Sequence, residues 1–317
     1  MPTRTPATLA EYRRDYGGLF RRSGAPTDAD DYSRLLSLIG WFAGNNGAWA
    51  PATIRKYRAA IQTAIADWAS AGVDVDEART ALLQHALDSA HPAPRSKSAA
   101  PRTSARKRLT ISAKEREDLV SHLAKNTTAT CRLLAGLVTF EPIFGLRPRE
   151  WLSAQITGDV LVVTCAKHTN RRGVAAEREI VLTNLSDDQR RGLARFIAAF
   201  HTAAAKCGIW QVLHDRLSKS LTRACQELGM PPICLYTMRH QAIATAKRHM
   251  PPIEVAALFG HASPATAPRH YARRRAGWKV DPGIRATPSI VALVRRPSWT
   301  DNLPSAIDED RLSRPAP

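Results

Sequence analysis

Apolar residues in the first part of the chain recur every three to four positions. Leu9, Tyr12, Tyr16 and Phe20 fall on one side of a helix, and Tyr32, Leu35, Leu36, Ile39 and Phe42 do so over 31–42. Ile54, Tyr57, Ile61, Ile65 and Trp68 repeat the pattern over 51–71, where Pro51 stands at a helix-entry position. These stripes predict the core of a small helical bundle spanning 1–90. The period disappears over 91–108, a stretch with three prolines and many small polar residues that buries too little surface to offset its ordering entropy. It reads as an extended linker. Helical patterning resumes over 111–125 and 127–141. Val160–Ala166 and Glu179–Leu182 then read as strands joined by a polar, basic turn at 168–176. Helices follow over 186–200, 210–228 and 237–249. The predicted fold is therefore mainly α: an N-terminal helical bundle, then a mostly helical domain over 109–280 with a small β-hairpin or sheet. A tail over 281–317 contains one short apolar island, Ser289–Val294.

The 317 residues suffice for two domains with cores of their own, and 44% hydrophobic with 23% charged residues is globular composition. The longest apolar runs, Phe196–Phe200 and Val255–Phe259, are far too short to span a membrane, and no signal-peptide pattern opens the chain. Five cysteines, with no CxxC pair, argue against a zinc site or a disulfide framework and suit a reducing cytoplasm. The net charge of +18 is the outlier. Residues 1–90 carry 10 basic and 10 acidic side chains, residues 91–110 six basic and none acidic, and residues 111–280 carry 25 basic and 13 acidic. The tail is balanced, so the whole excess lies in the linker and the second domain. A polyanionic partner, most economically double-stranded DNA, fits that distribution. Arg106, Lys107 and Arg108 in the linker are candidate backbone contacts. So are Arg55, Lys56 and Arg58 near the start of the third helix, although a merely solvated face explains those three as well.

No Gly-rich phosphate loop, HExxH motif or GxSxG elbow is present. A dispersed set of cations ending in a tyrosine stands out instead. It comprises Gly145-Leu-Arg147-Pro-Arg149-Glu150, Lys167 at the hairpin turn, Tyr236-Thr-Met-Arg239-His240, Gly260-His261, and Arg269-His270-Tyr271. In this order the set resembles the tyrosine recombinase (phage integrase) family over about residues 111–279. The resemblance implies that Arg147 and Arg239 are catalytic arginines, with Glu150 supporting the first. It further implies Lys167 as the catalytic lysine, His261 as the second family histidine and Tyr271 as the nucleophile. The bundle over 1–90 is similar in outline to the family's core-binding domain. The family further implies a tetramer on two DNA sites, with room for an accessory DNA-bending protein, no cofactor and no metal. Its C-terminal segment often packs on a neighbouring subunit, which makes the tail a candidate for docking in trans.

The residue chemistry suits that assignment. Attack on a phosphodiester builds negative charge, and cations placed where it develops supply the largest catalytic term. Guanidinium forks pair with the non-bridging oxygens in a way an ammonium cannot. Tyr236 departs from the family pattern by replacing a histidine. A phenol donates a hydrogen bond to phosphate but is a poor base at neutral pH. Pro264 and Pro268 lie between His261 and Tyr271, so the segment bearing the tyrosine should be short and interrupted. His270 has no matching role. Arg171 and Arg172 in the hairpin turn, and Arg273 and Arg274 after the tyrosine, are candidate DNA contacts. Two other readings compete. Ile253–Thr266 can pass for a helix-turn-helix with Gly260 in its turn, making the protein a regulator that never cuts DNA. A type IB topoisomerase relative would share the tyrosine chemistry.

Overall fold

The computed structural model describes residues 4–45, 47, 49–71, 76–90, 108–168 and 173–295. The chain divides into two compact units, Met1–Ala100 and Pro101–Pro317. Residues 91–107 of the linker proposed over 91–108, the turn residues 169–172 and the tail beyond 295 lie outside the described residues.

The first unit is four helices, α1 (Pro6–Ser23), α2 (Asp31–Asn45), α3 (Pro51–Ser70) and α4 (Glu77–Ser89). Thr5 caps α1 by accepting a hydrogen bond from the Thr8 amide, and Pro6 enters where no N–H is needed. Asp76 caps α4, a helix that the periodicity analysis does not single out. Leu19, Leu35, Leu38, Ile39, Phe42, Ile54, Ile61, Ile65, Leu83 and Leu87 form its core. Leu36, expected inside, is 43% exposed, because the buried face of α2 runs through Leu35, Leu38, Ile39 and Phe42. Lys56 bridges α3 to α1 through Glu11 and Asp15, each at 2.9 Å.

The second unit begins with α5 (Ala113–Lys125), whose start is fixed by a Ser112–Glu115 capping box, and α6 (Ala129–Phe144). A 3-10 turn over Pro148–Leu152 leads into β1 (Gln155–Thr157), β2 (Val160–Thr164) and β3 (Glu177–Val181). Helices α7 (Asp187–Cys207), α8 (Trp210–Glu227), α9 (Leu235–His249), α10 (Pro252–Leu258) and α11 (Thr266–His270) follow. The chain then returns through β4 (Arg285–Ala286) and α12 (Pro288–Ala292). The expected hairpin is thus the centre of a four-stranded antiparallel sheet in the order β1-β2-β3-β4, with Leu161 opposite Ile180 and Ile180 opposite Ala286. The two outer strands are three and two residues long, too short to leave an alternating pattern. Leu161, Val163, Arg178 and Ile180 face the interior, so a charged residue occupies one inward place of β3. Ile290 and Val294 of the tail's apolar island pack on Ala256 and Ala257 of this chain's own α10.

The helix-turn-helix reading does not survive. Val255–Leu258 of α10 are buried, and the would-be recognition helix α11 has five residues with Pro268 among them.

After Tyr271 the chain is fastened back onto α9. Lys247 Nζ donates to the Ala272 carbonyl at 3.3 Å, Gln241 Nε2 to Ala276 at 3.1 Å, and the Trp278 amide to Thr245 Oγ1 at 3.0 Å. Gly277 permits this approach. A Cβ there would collide with the Ala244 carbonyl and lie 2.8 Å from Thr245 Cα, both backbone atoms of α9 that have no flexible side chain to yield. Gly277→Ala should therefore cost about 1–3 kcal/mol of stability through overpacking alone. Urea unfolding of the variant against wild type checks this; equal midpoints would show that the segment stands off α9 in solution.

Candidate active site

Glu150 is a buried carboxylate that accepts four hydrogen bonds. The 3-10 turn after Gly145 places it beneath Arg147, and it is 1% exposed. Its Oε1 accepts from Arg147 Nη1 at 2.6 Å and from the Ala166 amide at 3.0 Å. Its Oε2 accepts from the Arg147 amide at 2.8 Å and from Arg178 Nη2 at 2.8 Å. Arg239 Nη1 stands 3.9 Å away. Burial alone would push this carboxyl up, but Arg178, Arg239 and Arg147 together hold it well below the usual carboxylate range. Among the described residues, Arg147 makes no side-chain hydrogen bond other than this one, so the rest of its fork stays available to a ligand.

Arg239, in the first turns of α9, is 0% exposed. Its Nη1 donates to the Gly145 carbonyl, its Nη2 to the Phe259 carbonyl at 2.8 Å, and its Nε to Tyr271 Oη at 3.2 Å. Gly145 is required here: its φ is +54°, and a side chain would strike Phe259 and Ala242. Arg239 Nη2 also lies 3.3 Å from His261 Nε2. A guanidinium cannot accept, so Nε2 must, and the proton of a neutral ring then sits on Nδ1. His261 is neutral: burial, then Arg239, Arg147 and Arg178, drive it well below the ordinary histidine value. Its Nδ1 is buried with no partner in the structure, an unused donor within the cation cluster.

Tyr271 sits among these groups. Its ring stacks on His261 with centroids 5.2 Å apart and lies 4.9 Å from the ring of His240. Burial raises its phenol, but the charge and hydrogen bond of Arg239, aided by Arg147 and Lys167, outweigh that and bring it below the usual value. His240 is pushed down to about 4 by burial, Arg239 and Lys247, so it too is neutral near pH 7. Tyr236 lies one turn before Arg239 and is 40% exposed. Its partial burial raises its phenol despite Arg239 and Arg147, which leaves it a donor rather than a base. Lys167 is exposed just beyond β2, where its charge reaches Tyr271.

The structure therefore brings Arg147, Glu150, Arg239, His261 and Tyr271 together, with Lys167 and Tyr236 at the edge. Sequence reasoning missed two members. Arg178 is 0% exposed, and its only sequence cue is its place in the inward alternation of β3. Glu141, on α6, is fully buried; Trp151 Nε1 donates to its Oε2, and its Oε1 has no partner. Burial raises this acid well above the usual carboxylate value, which favours its protonated form. Three buried guanidiniums thus face one ionised carboxylate, an imbalance that favours an anionic ligand. Among the described residues, no group of three or more His, Cys, Asp or Glu is disposed to hold a metal ion.

The more distant candidate contacts differ in availability. Arg273 and Arg274 are exposed beside Tyr271, and Arg55 is exposed on α3. Lys56 is paired within the bundle as described, and Arg58 donates to the Ala90 carbonyl at 2.8 Å and pairs with Asp88 at 3.4 Å. Arg108 forms a two-pronged bridge to Glu115 at 2.5 and 2.9 Å, which helps bring that carboxyl down to about 2. Arg106, Lys107, Arg171 and Arg172 lie outside the described residues.

No protein-family model matches the chain, and no curated protein matches it in sequence. Among solved structures, a lambda integrase dimer bound to a COC′ core site is similar with a TM-score of 0.47 at 15% identity, over 87% of this chain and 92% of that one. XerH site-specific recombinase bound to palindromic difH substrate gives 0.45 at 14% identity, over 85% and 77%. XerA recombinase gives 0.35 at 12%, over 83% and 86%.

The raised value of Glu141 has a sign that can be read from stability. Between the ordinary carboxylate range and its raised value, the folded protein holds a proton that the unfolded chain releases. Stability thus falls by about 1.4 kcal/mol for each pH unit climbed through that window. Glu141→Gln keeps the acceptor for Trp151 and removes the slope, so the variant should gain on wild type from pH 5 to pH 8. Urea unfolding at both values measures it. A difference independent of pH would mean that Glu141 is ionised in the fold.

Proposed function

We propose that this protein is a site-specific DNA recombinase that cuts and rejoins strands through a 3′-phosphotyrosine. The observation that carries the reading is the hydrogen bond from Arg239 Nε to Tyr271 Oη, made inside a cluster that also holds Arg147 and His261. A phenol held on a guanidinium and lowered by surrounding cations is a prepared nucleophile, so part of the work of a missing base is done electrostatically. That matters here because Tyr236 stands where the family histidine would be.

In the proposed step Tyr271 Oη loses its proton to solvent and attacks the phosphorus of a phosphodiester, and the bond to the 5′-oxygen breaks; Lys167, after protonating that oxygen, regains a proton from solvent. Arg147 and Arg239 hold the non-bridging oxygens, and the Nδ1–H of His261 adds a donor. Lys167 gives its proton to the departing 5′-oxygen. Tyr236 donates to a phosphate oxygen. The phosphotyrosine retains the ester, so the reverse attack by a 5′-hydroxyl of another strand regenerates Tyr271 and a joined product. Double-stranded DNA is the substrate, and a tetramer on two sites is the proposed working assembly. A cytoplasmic location on chromosomal or mobile-element DNA follows from that substrate. Arg106, Lys107, Arg171, Arg172, Arg273 and Arg274 would hold the backbone and set the salt dependence of binding rather than act at the scissile phosphate.

A nicked duplex that releases a short fragment after cleavage tests the reading. Wild type should form a covalent protein–DNA adduct and Tyr271→Phe none, with binding retained by both. Binding without an adduct on a verified site would return the protein to the regulators. Relaxation of supercoiled DNA without recombinants would favour the topoisomerase alternative. On the same substrate Tyr236→His should equal or exceed wild type, because imidazole donates and also accepts a proton near neutral pH. Complete loss would give the phenol a dedicated role.

A further inference from the structure

We infer that Arg178 is a positioning residue for the proposed cleavage, fastening together the segments that carry Arg147, Lys167 and His261. This rests on the recombinase reading above for what is positioned, but the fastening itself is a property of the folded chain.

Arg178 is 0% exposed and cannot reach DNA. Its three nitrogens point to three different segments. Nη2 donates to Glu150 Oε2 at 2.8 Å, in the turn that bears Arg147. Nε donates to the Leu258 carbonyl at 3.1 Å, at the end of α10 and three residues before His261. Nη1 lies 3.3 Å from Cys165 Sγ, two residues before Lys167. Gly260 makes room for this arrangement, since its φ is +67° and a Cβ would stand 3.1 Å from Nη1.

A buried guanidinium is an expensive way to fill an inward place in a strand. Replacing both members of a buried ion pair by apolar residues of similar volume is often neutral or better for stability, whereas removing Arg178 alone would leave the buried Glu150 short of a partner. What the guanidinium provides is planar reach in three directions, which a lysine with a single nitrogen cannot copy. It also completes the four-donor shell of Glu150. Without it, Glu150 would lean on Arg147 and Arg239, the two arginines proposed to hold phosphate.

The test compares wild type, Arg178→Lys and Arg178→Met in two assays. The first is acid unfolding without DNA. Glu150 faces Arg147 from its own turn, Arg178 from β3, Arg239 and Tyr236 from α9 and Glu141 from α6, with His261 after α10. Its depressed carboxyl stabilises the fold above the ordinary carboxylate range and loses that contribution as pH falls through the depressed value. Removing Arg178 raises that value, so the acid midpoint of Arg178→Met should move up by about one pH unit, with Arg178→Lys recovering most of the shift. The second assay is adduct formation at saturating nicked DNA. The rate should fall by about 100-fold in Arg178→Met and about tenfold in Arg178→Lys, while DNA affinity stays within about twofold.

An unchanged acid midpoint with an unchanged rate would overturn the inference, as would a loss confined to DNA affinity, or a lysine variant no better than methionine in either assay. If Arg178→Met does not fold, Arg178→Lys carries both readouts against wild type. If wild type itself forms no adduct, the recombinase reading fails, and the acid-unfolding comparison decides whether Arg178 fixes the Glu150 cluster.

Discussion

A carboxylate taken out of water is tolerable only when donors and positive charge surround it, and Glu150 meets that condition with four hydrogen bonds and three nearby guanidiniums. Much of the second unit's architecture can be read as the means of bringing those donors to one point. The 3-10 turn supplies Arg147, the end of β2 supplies the Ala166 amide, β3 supplies Arg178, and α9 supplies Arg239. These elements are distant in sequence and carry every side chain proposed to act on phosphate, apart from those after α10. The ion cluster is therefore also the scaffold.

The same cluster explains why the site should bind an anion tightly and in one place. Glu141 contributes no charge while it stays protonated, so Glu150 alone opposes Arg147, Arg178 and Arg239. Arg239 is already turned toward two carbonyls, an imidazole and the Tyr271 hydroxyl. Little of it has to move when a phosphate arrives. Arg147, with the rest of its fork unused, is the more open partner, and the unpaired Nδ1–H of His261 is a third fixed donor. Preorganisation of this kind lowers the cost of meeting charge that develops later.

How much of this was legible in sequence differs from residue to residue for physical reasons. Gly145-Leu-Arg147 through Glu150 was readable through its resemblance to a known arginine box, and the turn that holds Arg147 and Glu150 together is local, beginning after the left-handed Gly145. Arg239, His261 and Tyr271 were readable only through their order along the chain, since nothing local shows that they meet. Arg178 was hidden because an arginine in a short strand ordinarily faces solvent, and inward orientation becomes visible only with the β2–β3 register. Leu36 misled because a helical stripe fixes a face to within about one residue, and the packing of α1, α3 and α4 chose Leu38 instead. Ile253–Thr266 misled differently. Its apolar spacing is real, but it serves burial under α9, α12 and the sheet, not presentation of a second helix.

The charge distribution gains a finer meaning from the side chains that use it. In the neutral stretch 1–90, several cations are matched at home: Lys56 lies between Glu11 and Asp15, Arg13 pairs with Asp67, and Arg58 is turned to Asp88 and Ala90. A basic side chain in such a pair must give up an acidic partner before it can neutralise a phosphate, so it adds little to affinity. In the second unit the surplus is of two kinds. Arg147, Arg178 and Arg239 are buried and shared through one carboxylate, whereas Arg273 and Arg274 are exposed beside the tyrosine. Screening by salt weakens exposed charges far more than buried ones. Ionic strength should therefore govern how firmly a polyanion is held, and the interior cluster what happens to the one phosphate that enters it. Net charge points to the class of partner, while burial separates the cations proposed to hold it from those proposed to act on it.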